Sequence, residues 1–372
     1  MAARIPVTIL TGYLGAGKTS LLNRILSQDL GRRYAVIVNE FGEIGIDGDL
    51  IIGGDEELFE MNNGCVCCTV RGDLIRTLHA LLNRPMSMGA SGDPSAAAFD
   101  AILIETTGLA DPGPVAQTFF VDAFLLARTR LDSVTTLVDA RHIDARLADS
   151  REAAEQIAFA DLIVLNKTDL VDEAGLQAIE ARLRGLNPLA TIQRALRANI
   201  DPTQVLGRGG FELDRIVEKE PQFLQAATAQ GQAGHGDPGH VHDEDCDHGG
   251  VHDGAHRGAH HGDNAAHDHR HDDDIRSVCL SHSQPMDAAK VSDWLKALLA
   301  AQGARILRTK GIIDVQGESR RLVVQAVHHL LEGEFQSAWP AGVSHQSRLV
   351  FIGRQLDDAA LQAGFEGCAA PG

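Results

Sequence analysis

The feature that most constrains the fold is a glycine-rich stretch near the N-terminus, TGYLGAGKTS at 11–20. It has the spacing G-x-x-x-x-G-K-[ST], and it lies directly after an apolar strand pattern and before the helical run SLLNRIL. In such loops, backbone N–H groups close around phosphate oxygens and the next helix adds the positive end of its dipole. This context predicts a phosphate-binding loop, and with it a P-loop NTPase domain of the α/β class. A glycine-rich turn without a ligand is the alternative, and the flanking strand and helix disfavour it.

The residues of this loop have separate predicted roles. Lys18 is expected to reach the β- and γ-phosphates of a nucleotide, and the Thr19 hydroxyl is expected to ligate Mg²⁺. The loop residues predicted to bind the nucleotide are Gly12, Gly15, Ala16, Gly17, Lys18, Thr19 and Ser20.

A second nucleotide-binding pattern, VLNKTD at 164–169, ends a later apolar run. A carboxylate at Asp169 can accept hydrogen bonds from the N1–H and 2-amino groups of guanine, whereas adenine offers no such pair of donors. Asn166, Lys167 and Asp169 therefore predict GTP rather than ATP as the ligand. A helix N-cap with no nucleotide role is the alternative.

The run AILIETTGLADP at 101–112 puts Glu105 at the end of a predicted buried strand, with Gly108 three residues later. Glu105 is expected either to hold Mg²⁺ through water or to orient the attacking water, and the sequence leaves both roles open. Gly108 is expected to bring a backbone N–H to the γ-phosphate, so that the following loop responds to the nucleotide. The polar segment 39–49 is a second candidate switch. No glutamine or arginine has an evident catalytic place, so hydrolysis by the chain alone is expected to be slow.

The arrangement of apolar runs predicts the fold class. Short runs alternate with amphipathic stretches up to about residue 215, which is typical of a mostly parallel sheet with helices on both faces. A Gly/Ser/Ala-rich insert at 87–98 is expected to be a surface loop. The predicted strands cover residues 7–12, 34–40, 101–108, 134–140, 161–167 and 190–195.

The rest of the chain is predicted to form a linker and a second domain. Residues 228–274 have almost no large apolar side chains, which predicts a disordered linker after a GTPase domain at 1–227. A small α+β domain is predicted at 275–365. Its predicted strands are 275–282, 304–315, 320–331 and 347–356, and its predicted helices are 287–302 and 357–364.

The predicted linker is rich in metal-binding side chains. Residues 235–271 hold 11 of the 17 histidines, and 228–274 hold eleven acidic residues against two arginines, which gives −9 of the net charge of −18. Neutral imidazoles on a flexible chain collect divalent ions loosely, so we expect a metal reservoir. A solvated acidic linker without this role is the alternative.

Several classes of protein are excluded by the composition. No apolar run approaches the ~20 residues that span a bilayer, and the N-terminus has no signal-peptide pattern, so a cytoplasmic location without a membrane partner is expected. No clustered basic face indicates a nucleic-acid partner. Six cysteines, three of them close together, do not make a disulfide framework.

The clustered cysteines are Cys65, Cys67 and Cys68, too closely spaced for a zinc finger, which pairs two separate C-x-x-C halves. They precede a predicted helix, whose positive end favours thiolates. This arrangement favours an exchangeable metal site. Buried apolar cysteines, a redox disulfide and a structural zinc site with a distant fourth ligand are the alternatives.

The order of these motifs resembles that of the CobW family of metal-handling GTPases over nearly the whole chain. The shared motifs are the phosphate loop, NEFGEIGID, NGCVCC, ETTGLADP, NKTD, the His-rich stretch and the small C-terminal domain. The resemblance implies a SIMIBI-class P-loop GTPase related to those that insert nickel into urease and hydrogenase. It also implies that Cys65, Cys67 and Cys68 bind a cargo ion, with Glu40 or Glu43 as further candidate ligands. GTP hydrolysis would then be coupled to transfer of the ion to a client metalloprotein.

Thiolate chemistry and this resemblance together predict a zinc metallochaperone that hydrolyses GTP. Soft thiolates suit Zn²⁺, and Co²⁺ binds such sites more weakly, so zinc is the expected cargo. The alternatives are cobalt delivery for cobalamin synthesis, a metal buffer or sensor that transfers nothing, and a P-loop kinase. The sequence leaves open whether the site is shared across a homodimer.

Overall fold

The computed structural model describes residues 4–28, 30–39, 57–61, 67–83, 99–211, 275–339 and 344–371, with 39, 57–61 and 67–71 described by their backbone alone. The strands are β1 (Ile5–Gly12), β2 (Tyr34–Asn39), β3 (Glu57–Met61), β4 (Ala101–Glu105), β5 (Thr129–Asp139), β6 (Leu162–Asn166), β7 (Thr191–Arg194), β8 (Ile275–His282), β9 (Ile306–Ile313), β10 (Arg320–Val327), β11 (Leu330–Ala338) and β12 (Ser347–Arg354). The helices are α1 (Lys18–Leu26), α2 (Cys67–Leu82), α3 (Pro112–Val121), α4 (Ala123–Arg128), α5 (Ile143–Asp149), α6 (Arg151–Phe159), α7 (Glu173–Leu186), α8 (Pro202–Val205), α9 (Ala288–Gln302) and α10 (Asp358–Glu366).

The first sheet has the order β3-β2-β4-β1-β5-β6-β7, and all its described pairings are parallel. Consecutive residues of β1 face opposite layers. Ile9 packs in the cluster that contains Leu74 of α2, whereas Leu10 packs in the cluster that contains Leu21 of α1. Because successive strand side chains point to opposite faces, helices must cover both sides of this sheet. The predicted α/β fold class is confirmed.

The second sheet is antiparallel, with the order β11-β10-β9-β12-β8. Leu295 of α9 and Phe365 of α10 pack with Phe351 of β12, so these helices cover one face. Other residues of the sheet, such as Leu307 and Ile312, belong to a buried cluster that includes Phe159 of α6. The small α+β unit is therefore built as predicted, and its open face is packed on the first sheet's helical layer.

Several elements differ from the sequence predictions. Strand β5 begins at Thr129, five residues before the strand predicted at 134–140, and β4 ends at Glu105, three residues before the end of the strand predicted at 101–108. Strand β3 was not predicted, because its sequence ELFEM is short and acidic; it lies at the sheet edge and pairs with β2. The strand predicted at 320–331 is wrong in its extent: β10 ends at Val327 and the chain reverses into β11. His328 makes this two-residue turn with a left-handed φ of 52°, which a sequence without glycine or asparagine does not signal.

The limits predicted for the domains stay predictions, since residues 212–274 lie outside the described part of the chain. The predicted surface loop at 87–98 and the histidine tract at 235–271 lie outside it as well. Among the described helices, none is long and apolar enough to cross a membrane.

A buried ionic cluster joins the two sheets. Asp161, directly before β6, accepts a hydrogen bond from Arg308 and one of 3.2 Å from Lys310 Nζ, both on β9. All three side chains are at most 1% exposed. Burial by itself raises the pKa of Asp161, but the two cations and the Val134 N–H bound at 2.9 Å hold that pKa below its ordinary value. Asp161 therefore compensates two positive charges that water does not reach.

Removing this charge should destabilise the whole chain. Asp161→Asn removes the carboxylate that pairs with the buried Arg308 guanidinium, so the free energy of unfolding should fall by about 3 kcal/mol or more. Because the folded pKa is depressed, the wild-type contribution should be present above about pH 4 and be lost as the pH falls through the folded value. Urea unfolding followed by Trp294 and Trp339 fluorescence measures both effects.

The matched control is Asp144→Asn, because Asp144 is 65% exposed and pairs with Arg182 at 2.6 Å on the surface. Its expected cost is about 0–1 kcal/mol. Equal losses for the two variants would contradict the assignment of Asp161 to the interface.

Candidate functional site

The phosphate-loop sequence forms a tight turn between β1 and α1. Gly17, the residue before α1, has a left-handed φ of 110°, and a Cβ there would lie 2.6 Å from Asn166 Nδ2. Only glycine combines that backbone conformation with so close an approach. The loop and the end of β6 are therefore in direct contact.

Lys18, Thr19 and Glu105 lie together where the loop enters α1. Lys18 Nζ donates to the carbonyl oxygens of Gly12, at 2.9 Å, and Tyr13, at 3.5 Å. Thr19 Oγ1 donates to Glu105 Oε1 at 3.0 Å, and Glu105 is 4% exposed at the end of β4. A hydroxyl and a carboxylate are the oxygen ligands that Mg²⁺ prefers, so these residues fit a magnesium ion.

Asn166 connects the phosphate loop to the chain after β7. Its side chain is 2% exposed; Nδ2 donates to Ala16 O at 2.9 Å, and Oδ1 accepts from Ala198 N–H at 2.8 Å. Arg197 and Ala198 have left-handed φ values of 50° and 54°. Sequence reasoning missed this segment because neither residue is a glycine. One amide thus sets the distance between two loops that the sequence separates widely.

Lys167 and Asp169 follow Asn166. Lys167 has a φ of 59° and donates to Asp139 Oδ2 at 2.8 Å, while Asp169 is exposed in a short 3₁₀ turn, Thr168–Leu170. Burial alone raises the pKa of Asp139, but hydrogen bonds with Lys167 and His142 hold it below its ordinary value. Asp139, which the sequence did not single out, is therefore an anion that fixes Lys167 beside the phosphate loop.

The chain after Glu105 is held against the phosphate loop. Thr106 N–H donates to Leu10 O at 2.9 Å, and Thr106 Oγ1 donates to Thr11 Oγ1 at 2.8 Å. A Cβ on Gly108 would lie 2.6 Å from Leu14 N, so Gly108 is in contact with the phosphate loop. The role of Gly108 at the γ-phosphate stays a prediction, and this contact with the phosphate loop is compatible with it.

Asp111 ends this loop and caps α3. Its Oδ1 accepts from Gly113 N–H at 2.8 Å. Burial, and after it the charge of Glu155, raise the pKa of Asp111 to about 6. Both ends of the loop at 106–111 are therefore fixed to regular elements.

The predicted metal ligands are only partly within the described chain. Cys65, Glu40 and Glu43 lie outside it, whereas Cys67 and Cys68 begin α2 and are described by their backbone alone. In the ranges that are described, no group of three or more His, Cys, Asp or Glu side chains is arranged to hold a metal ion. The C-x-C-C site stays a prediction.

The fold and the phosphate loop define a P-loop nucleotide-binding protein. The sequence matches the family described as CobW/HypB/UreG, nucleotide-binding domain, over residues 6–194. It also matches the cobalamin synthesis protein cobW C-terminal domain over residues 275–369. The chain belongs to the CobW/HypB/UreG family.

Individual relatives agree with this assignment. The chain is 33% identical over 364 residues to the zinc chaperone YjiA of Escherichia coli, with 98% of each chain covered. It is 41% identical over 205 residues to the zinc-regulated GTPase metalloprotein activator 1 of Schizosaccharomyces pombe, which covers 53% of this chain and 47% of that protein. It is also similar to the crystal structure of Zn(II)-bound YjiA GTPase from E. coli, with a TM-score of 0.66 and 28% identity over 99% of this chain and 100% of that one.

Loss of the Asn166 amide should weaken nucleotide binding. Asn166→Ala removes the hydrogen bonds to Ala16 and Ala198, so the affinity for a guanine nucleotide should fall about tenfold or more. Fluorescence titration with a labelled GDP measures it. Gln177→Ala is the control, because Gln177 is an exposed amide on α7. Unchanged affinity in Asn166→Ala would contradict the bridging role.

Proposed function

We propose that this chain is a GTP-hydrolysing metallochaperone that binds Zn²⁺ at Cys65, Cys67 and Cys68 and passes it to a client metalloprotein. The observation that carries the proposal is the order of parallel strands, β3-β2-β4-β1. In a parallel sheet the chain leaves every strand at the same edge. The cysteines come just after β3, Glu40 and Glu43 just after β2, Glu105 ends β4, and the phosphate loop follows β1.

Strand spacing makes this arrangement quantitative. Neighbouring strands lie about 4.8 Å apart, so β3 and β1 are separated by about 14 Å at this edge. Each residue of extended chain spans about 3.3 Å, and a few residues therefore bridge that gap. The segment after β2 begins between the two ends, which makes Glu40 and Glu43 suitable to link the nucleotide to the thiolates.

Recognition of the guanine base, the first part of the proposal, depends on Asn166, Lys167 and Asp169. Asp169 is exposed at the end of β6, where its carboxylate can accept from the N1–H and 2-amino groups of guanine. Asn166 holds the phosphate loop at a fixed distance from this position. GTP is therefore the nucleotide that these side chains suit.

Binding of the phosphates, the second part of the proposal, depends on Lys18, Thr19 and Glu105. Lys18 is held by loop carbonyls and can exchange them for the β- and γ-phosphate oxygens. Thr19 and Glu105 would hold Mg²⁺, which when bound neutralises charge on the phosphates. Glu105 can alternatively orient the attacking water, and Gly108 can bring its N–H to the γ-phosphate. We expect slow hydrolysis until a client or a second copy of the chain binds.

Zinc binding, the third part of the proposal, is supported by the chemistry of thiolates and by the names of relatives. Two or three thiolates make a soft site that suits Zn²⁺ better than Co²⁺, and relatives of this chain are named as zinc chaperones. If a ligand on the γ-phosphate-ordered loop completes the site, zinc is held with GTP and released after hydrolysis. The histidine tract at 235–271 would supply ions to it. The client and a homodimer stay proposals.

A change at Asp169 should alter base selectivity. Asp169→Asn replaces an acceptor by a carboxamide whose N–H₂ can donate to the 2-oxygen of xanthine, so kcat/KM for GTP should fall about 100-fold and that for xanthosine triphosphate should rise. Steady-state phosphate release with each nucleotide measures this. A wild-type protein that hydrolyses ATP as fast as GTP would contradict the assignment.

A change at Cys67 should weaken zinc binding. Cys67→Ala removes one of at most three thiolates, so zinc affinity in the presence of a GTP analogue should fall about 100-fold. Competition with a chromophoric chelator measures it. Cys279→Ala, at an exposed cysteine of β8, is the matched control and should leave the affinity unchanged. Equal zinc affinities for Cys67→Ala and Cys279→Ala would contradict the assignment of Cys67 to the zinc site.

A further inference from the structure

Helix α6 lies between the Gly108 loop and the C-terminal sheet. Two consecutive residues of this helix contact these two neighbours, one residue each. Glu155 forms a buried ion pair with Arg354 of β12. Gln156 contacts the loop that follows Glu105. The helix is thus fixed on one side by the C-terminal domain while it holds the loop on the other.

The contacts of Gln156 are specific. Its side-chain Nε2 donates to Gly108 O and to Ala110 O, each at 3.1 Å. The residue is 1% exposed, and its own carbonyl oxygen accepts from Thr136 Oγ1 at 2.7 Å. Both amide hydrogens are therefore used on two carbonyls of a loop, and the helix that carries them is bound to β5.

These bonds restrict the backbone where a γ-phosphate would be sensed. The carbonyl oxygen of Gly108 accepts from Gln156, and a Cβ added at Gly108 would lie 2.6 Å from Leu14 N of the phosphate loop. Glycine has no side chain of its own to fix the peptide planes beside it. Loss of the Gln156 amide would therefore free Gly108 to rotate, although Thr106 and Asp111 would still hold the loop ends.

We propose that Gln156 is a positioning residue that orients the Gly108 backbone for the γ-phosphate and so makes the site discriminate GTP from GDP. The proposal depends on the GTPase function proposed above. It assigns no contact with the reacting atoms to Gln156, which acts through Gly108. The proposed contacts of the α- and β-phosphates and of the base involve other residues, so GDP binding should not depend on Gln156.

Two substitutions in the full-length chain test this role. Gln156→Ala removes both donors, and Gln156→Glu keeps the shape but turns a carboxylate toward two carbonyl oxygens. For both, the affinity for a non-hydrolysable GTP analogue should fall about tenfold while the affinity for GDP changes less than about twofold. GTP turnover should show a lower kcat. Gln177→Ala, an exposed amide on α7, should match wild type in every measurement.

The outcomes separate this inference from the function on which it depends. A wild-type chain that binds neither nucleotide refutes the proposed GTPase. A wild-type GTPase whose Gln156 variants lose GDP and GTP-analogue affinity equally, or lose neither, refutes the positioning role alone. If Gln156→Ala does not fold, Gln156→Glu decides by the same comparison, because retained GDP binding shows that its nucleotide site is intact.

Discussion

The parallel arrangement of the strands in the first sheet assembles the candidate site. Within the described chain every pairing of the first sheet is parallel, so β1, β4 and β6 end at one edge. This brings Thr19 to Glu105 and Asn166 to Ala16, although 86 and 150 positions separate the partners. By the same rule, β2 and β3 end at this edge, two and three strands from β1. The proposed coupling between nucleotide and metal would act across these strands.

Coupling to the C-terminal domain follows a second physical rule, that buried charges need partners. Asp161 compensates Arg308 and Lys310 of β9, and Glu155 pairs with Arg354 of β12. Separating either buried pair would leave a charged side chain out of contact with both water and that counter-ion. The pairs therefore hold the C-terminal domain in one orientation. Since Glu155 is the neighbour of Gln156, this orientation also fixes the helix that holds the Gly108 loop. A change in this orientation would therefore act on the candidate nucleotide site.

Contacts that are local in sequence were predictable, and distant ones were not. The phosphate loop, its strand and its helix follow from G-x-x-x-x-G-K-T because glycine spacing alone determines that turn. The bonds from Asn166 to Ala198 and from Gln156 to Gly108 depend on how the sheet and helices pack, which no short pattern encodes. Strand β3 was missed because an edge strand needs little apolar character, and the β10–β11 turn because His328 takes a conformation that usually signals glycine.

The central claim is that the nucleotide determines whether the thiolates hold zinc. Zinc K-edge X-ray absorption on the full chain with one equivalent of Zn²⁺ tests it directly, with a GTP analogue in one sample and GDP in the other. The account predicts two or three sulfur ligands at about 2.3 Å with the GTP analogue and fewer with GDP. Identical spectra in the two samples, or nitrogen and oxygen ligands alone in both, would contradict it.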